Sequence, residues 1–108
     1  MSDEAGIAEI VEKDIMSFAE FSRFPGASIT DNITSMLSSS KTNPAIKVSE
    51  DDGEIRVNCE IIVYFGINIP SLCYDIQSKV KHDIEEKTGM PVREVNIRVE
   101  GVDRANPS

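Results

Sequence analysis

VYFGINIPSLCYDIQSKVKHDIEEKTGMPVREVNIRVEGV, residues 63–102, carries a strand end, a junction, an amphipathic helix and a second alternating strand in one run. Leu72, Ile76, Val80 and Ile84 advance by four, the spacing of one helix face, with Cys73 on the same stripe. Lys87 continues that stripe and is expected to lay its stem along it with the ammonium in water. Pro70 suits a first helical turn, where its missing amide hydrogen costs nothing, and Gly89 suits the left-handed residue after the last turn. Between strand and helix, Gly66 permits a sharp exit, and Asn68 or Ser71 is placed to bond the first turn. VREVNIRVEG then alternates, with Val95, Ile97 and Val99 expected inward. A helix start can also bind an anion. GINIPS lacks the GxGxxG and GxxxxGK patterns and has no adjacent lysine, so Gly66, Asn68, Pro70 and Gly89 are read as structural joints.

Upstream, AIKVS and EIRVNCEIIVYF are two extended runs separated by EDDG, and an Asp-Gly pair between alternating runs predicts a hairpin. Ile55, Val57, Cys59, Ile61, Val63 and Phe65 share one face of the longer run, while Glu54, Arg56, Asn58, Glu60, Ile62 and Tyr64 share the other. ASITDNITSMLSSSKTNP, residues 27–44, reads as a loop with a weak helical turn or two, capped by Thr30 or Asp31. GIAEI, residues 6–10, is a short strand candidate. From Glu12 to Phe24 the pattern turns helical, with Val11, Ile15, Phe18 and Ser22 on one stripe and Glu12, Lys13, Asp14, Glu20 and Arg23 pointing away. Pro25 and Gly26 are its expected stop. The predicted order is strand, helix, strand, strand, helix, strand: an α+β two-layer sandwich, two helices on one face of a mixed sheet of about four strands. One domain is expected over 1–102, with 103–108 a short disordered tail.

The chain has 108 residues and a formal charge of −8, from nineteen acidic and eleven basic residues. That charge opposes nucleic acid and anionic lipid at long range. No run approaches the ~20 apolar residues of a membrane span, and MSDEAGIAEI lacks the basic start of a signal peptide, so a cytoplasmic protein without direct membrane insertion is expected. Cys59 and Cys73 are too few and too far apart for a disulfide scaffold or a paired metal knuckle and are expected as reduced thiols.

Chemistry-bearing patterns are sparse. An EF-hand loop with Gly53 at its sixth position would run from Val48 to Cys59, and neither end offers a carboxylate. His82, the sole histidine, falls opposite the helix stripe and is poorly placed to serve Cys73 as a base. Glu85 and Glu86 diverge by about 100° on a helix, so they read as a solvated face rather than a paired acid and base. No enzyme activity, cofactor or metal is expected. A KH-like nucleic-acid-binding domain is the alternative of similar architecture, but no two glycines stand three apart as its clamp requires, and one tyrosine makes no stacking platform. The outer sheet face is more informative as a protein contact. Ile62 and Tyr64 are expected there as exposed apolar groups near Glu60, Asn96 and Arg98, serving a partner or a second copy of the chain. The competing explanation is the scattered apolar exposure of any soluble surface.

The opening run also resembles the signature of the alkaline shock protein family, the envelope stress response proteins of Gram-positive bacteria, also called the Gls-type general stress group. The resemblance rests on Tyr64 and Gly66 with Phe65 inserted between them, Asn68 to Pro70, Ile76 and Gln77, Thr88 and Gly89, Glu94 to Asn96, and Gly101 with Val102. It covers residues 54–102 closely, and GIAEI and FPGA more loosely. Residues 27–44 depart from the glycine-rich, partly basic segment of many members, and long charged tails are missing. The resemblance implies a non-enzymatic cytoplasmic protein of cell-envelope homeostasis. It implies a protein partner, in some members a small membrane protein that holds them at the membrane, and a capacity for self-association.

Overall fold

The computed structural model describes residues 4–26 and 43–104. Its elements are α1 (Glu4–Met16), β1 (Phe21–Arg23), β2 (Ile46–Asp51), β3 (Glu54–Tyr64), α2 (Ile69–Thr88) and β4 (Val92–Asp103). The fold is α+β, with a four-stranded mixed sheet built around β3. One edge of β3 is shared end to end: β2 pairs antiparallel with its first half, from Asp51↔Glu54 to Ile46↔Cys59, and β1 pairs antiparallel near its end, at Phe21↔Val63. The other edge carries β4 in parallel, from Ile55↔Val92 to Tyr64↔Asp103. A parallel neighbour requires a crossover, and α2 is that crossover.

The β2–β3 hairpin forms at the predicted place because Asp52 (φ 53°) and Gly53 (φ 78°) both adopt positive φ, the two-residue geometry that matches strand twist. In α2, Asn68 accepts a hydrogen bond from the Ser71 amide at 3.0 Å, which resolves which side chain caps the helix. Pro70 sits in the first turn, and Gly89 ends the helix at φ 74° with its amide bonded to the Glu85 carbonyl. Ile55, Val57, Ile61 and Val63 of β3 and Ile76, Val80 and Ile84 of α2 are sealed from water in one core with Val11 and Ile15 of α1. Both helices therefore cover one face of the sheet.

The N-terminal elements differ from expectation. Residues 6–10 are helical, so the chain opens helix, strand, strand, strand, helix, strand. Ile7, Val11 and Ile15 form a four-residue ladder whose period outweighs the short alternation read in GIAEI. The helix stops at Met16, nine residues before Pro25, because Phe21–Arg23 is claimed by β3: the Tyr64 amide bonds the Glu20 carbonyl at 3.0 Å. Phe21 and Phe24 pack ring against ring at 4.7 Å. Asp14 does not point away; it is buried.

Three further differences arise at strand ends. Phe65 lies beyond β3 in the turn and is 74% exposed rather than inward. Asp103 is the last residue of β4, tied down by the Phe65 amide at 2.7 Å, so the strand runs one residue into the expected tail. Of the loop with a helical turn expected over 27–44, residues 27–42 lie outside the described residues, as do the tail residues 105–108.

Candidate functional site

The sheet face away from the helices is built by alternation on β2, β3 and β4. Registers Lys47↔Asn58↔Asn96 and Ser49↔Arg56↔Glu94 set these side chains in rows across three strands, and Glu60↔Arg98 adds a row across β3 and β4. Asn96 donates from its amide to Asn58 Oδ1 at 2.9 Å and to Glu94 at 3.0 Å, a cross-strand bond that fixes both asparagines. Asn58, Asn96 and Arg98 are exposed, whereas Glu60, Tyr64 and Arg56 are half-buried. Arg98 pairs with Glu100 at 2.6 Å, along its own strand. Arg56 Nε is shut from water without a hydrogen-bond partner among the described residues.

Of the predicted contact residues, Glu60, Asn96 and Arg98 are thus brought together, with Tyr64 further along β3 beside Asp103. Ile62 is not an exposed apolar group: it is only 8% exposed. Its neighbours are Arg23 on β1 and Gly101 on β4. Arg23 reaches across β3 to Asp103, Nε to Oδ2 at 3.0 Å, and the Ser22 hydroxyl donates to the same oxygen at 2.6 Å. This bridge between the two edge strands spans β3 beside Ile62. The Ser22 and Arg23 hydrogen bonds hold the Asp103 carboxyl below its ordinary value. Nothing local in the sequence connects residues eighty apart, so this pair was not foreseen.

The junction residues take the structural places assigned to them. Gly66 has φ 91°, a conformation costly for other residues, and Asn68, Pro70 and Gly89 start and stop α2. Burial disfavours the thiolate at both cysteines: it pushes Cys59 up to about 12 and also raises the half-buried Cys73. His82, Asp83 and Glu86 place ligand atoms within 4.8 Å of one another on α2, with His82 and Glu86 exposed, a grouping that the sequence reading overlooked. Glu85 belongs to the β4 edge, accepting from the Val92 amide at 3.0 Å, and Gln77 donates to the Val95 carbonyl at 2.9 Å. These two bonds occupy main-chain groups along the strand edge beneath α2.

A family model with a cell envelope-related description matches residues 3–104, nearly the whole of this fold. The chain belongs to the alkaline shock protein 23 family. The relatives include the uncharacterized protein YloU of Bacillus subtilis, 32% identical over 73% of this chain and 66% of its own length. The uncharacterized protein Spy1535 of Streptococcus pyogenes is 30% identical over 50% of this chain and 42% of its own length. The matches thus span less than two thirds of these relatives. A crystal structure of Aquifex aeolicus Era superposes with a TM-score of 0.49 at 17% identity, over 97% of this chain and 33% of that one, which is too weak to carry an argument. For this member of the alkaline shock protein 23 family, no helix among the described residues is long and apolar enough to cross a membrane.

Proposed function

We propose that this protein is a non-enzymatic interaction or scaffold protein of the cell-envelope stress response, and that the outer sheet face is its contact surface. The family description supports the envelope-related part of this reading. The observation that carries the surface is the one-sided cover of the sheet among the described residues: both helices described there join the core on the β3 face of Ile55, Val57 and Val63, while Asn58, Asn96 and Arg98 stand exposed on the other. Ordered polar groups on a rigid sheet suit a partner recognised by hydrogen bonds and charge more than by apolar burial. The partner in this reading is a protein, either a small membrane protein that holds this one at the cytoplasmic side or a second copy.

Since Ile62 is buried, the test uses Tyr64→Ala with Arg98→Glu, which leave the core untouched. Detergent-solubilised Gram-positive membranes are passed over immobilised wild-type and double-variant protein, and light scattering follows each purified protein with concentration. Loss of a captured membrane protein, or of concentration-dependent assembly, in the variant alone is the expected result. Equal capture and equal assembly by both would remove this face from consideration, and recovery of nucleic acid alone would overturn the scaffold reading.

A further inference from the structure

β4 lies at one edge of the sheet: β3 pairs with one side of it, and no strand among the described residues pairs with the other. Its register with β3 carries an extra residue at Arg93 and another at Glu100, so residues 94–99 are the regular run between two bulges. The Asn96 carbonyl, which the Cys59 thiol of β3 approaches at 3.7 Å, faces β3, whereas the Val95 carbonyl accepts from Gln77 of α2 and faces away. Main-chain groups alternate in direction along a strand, so Ile97 and Val99 present theirs to the open side together with Val95. Gln77 takes one acceptor position of the Val95 carbonyl and leaves the other. Side-chain cover thins along the same run: Val95 is buried, and Ile97 and Val99 are half-buried. Tyr74, 69% exposed, stands one turn before Gln77 on the same side of α2, level with this run.

We propose that this open edge is a dimer seam: two copies of the chain pair β4 with β4, antiparallel about Asn96, and so join two four-stranded sheets into one. Only registers that set outward-facing residues opposite one another can form the ladder, and the side chains choose among those registers. The run Glu94, Val95, Asn96, Ile97, Arg98 is its own antiparallel complement. With Asn96 opposite itself, Val95 exchanges main-chain hydrogen bonds with Ile97 of the second copy, and Glu94 stands opposite Arg98 of the second copy, each pairing occurring twice. Moving the pivot to Ile97 sets Glu94 against Glu100, and moving it to Val95 leaves Arg98 with no carboxylate opposite. Arg98 bonds Glu100 on its own strand at 2.6 Å, and its guanidinium has donors left for a second carboxylate. The two-fold axis at Asn96 brings the Tyr74 rings of the copies toward each other, which removes an exposed aromatic from water. The contact is isologous, so the assembly closes as a dimer. The inference does not rest on the outer-face reading, since the seam runs through main-chain groups at the sheet edge.

The test is sedimentation equilibrium of the full chain as wild type, Glu94→Arg, Arg98→Glu and the double variant, all of them changes at exposed side chains. Each single variant sets like charges opposite one another at both pairings and should weaken the dimer about tenfold or more. The double variant, and an equimolar mixture of the two single variants, restore opposite charges at every pairing and should dimerise as the wild type does. Tyr64→Ala leaves the edge intact and should stay dimeric, which separates this seam from a contact on the outer face; capture of a membrane protein is a separate readout. In wild type, the Val95 and Ile97 amides should gain protection from hydrogen exchange as concentration rises, while those of Asn96 and Arg98, already turned to β3, stay as they were. A wild type that remains monomeric, single variants that dimerise unchanged, a mixture that does not recover the dimer, or a dimer lost in Tyr64→Ala would each overturn the proposal. If a charge variant fails to fold, the wild-type exchange pattern decides, and concentration-dependent protection confined to other residues overturns the seam.

Discussion

The two helices share a core but are specified by different means. α2 declares its own limits: Asn68 caps it, Pro70 opens it, Gly89 closes it, and Leu72, Ile76, Val80 and Ile84 ride one buried stripe. α1 has an apolar ladder but no Gly or Pro at its end, and it finishes with the Ser17 and Phe18 amides bonded three residues back. Its last buried turn contains an acid, Asp14. A helix bounded by local chemistry is insensitive to what happens elsewhere in the fold, whereas one bounded by a neighbouring strand inherits that strand's stability.

Breaking this comparison begins with the core. Ile15 and Ile76 are both fully buried, so Ile15→Ala and Ile76→Ala should each cost about 2–5 kcal/mol in urea unfolding. Similar losses would show that α1 belongs to the same cooperative unit as α2; a small loss at Ile15 with a reduced slope would show α1 fraying on its own. Next come the ends of α2. Gly89→Ala forces a side chain into φ 74°, and Asn68→Ala removes the bond to the Ser71 amide; each should lower stability by about 1 kcal/mol. Hydrogen exchange should localise the first effect to the last turn of α2 and the second to its first turn, with α1 unchanged.

The smallest expected effect sharpens the contrast from the other side. Arg23→Ala removes the bridge from β1 to Asp103 on an exposed surface, where ion pairs contribute little. Because the Asp103 carboxyl is held low, its contribution is present above the ordinary carboxyl value and is lost as pH falls through the lowered one. Melting curves of wild type and Arg23→Ala should therefore differ slightly at neutral pH and converge in acid. A difference that grows in acid would mean Asp103 draws its support from another group.

How much was legible follows the range of the interactions. The hairpin at Asp52 and Gly53 could be read because positive φ is a demand on single residues. The alternation of β3 placed Val57, Ile61 and Val63 inward without knowledge of any partner. At Ile62 the same alternation assigned the correct side of the sheet and the wrong exposure, since cover depends on Arg23 and Gly101 beside it. Phe65 failed for a similar reason: alternation assumes the strand continues, and β3 ends at Tyr64. A parallel β4 beside β3 brings Glu60, Asn96 and Arg98 into neighbouring positions.

By itself the sequence determined α2 with both its caps, the two-residue turn, the inward stripe of β3 and an α+β class with helices on one side of a mixed sheet. Each of these rests on steric limits of single residues or on periodicity within one element. Tertiary structure alone decided that residues 6–10 join a helix, that this helix stops at Met16, that β1 and β2 share one edge of β3, and that Asp14 is buried. Those outcomes depend on which surfaces meet, and contact between residues far apart in the chain overrides a local preference of a few tenths of a kcal/mol per residue.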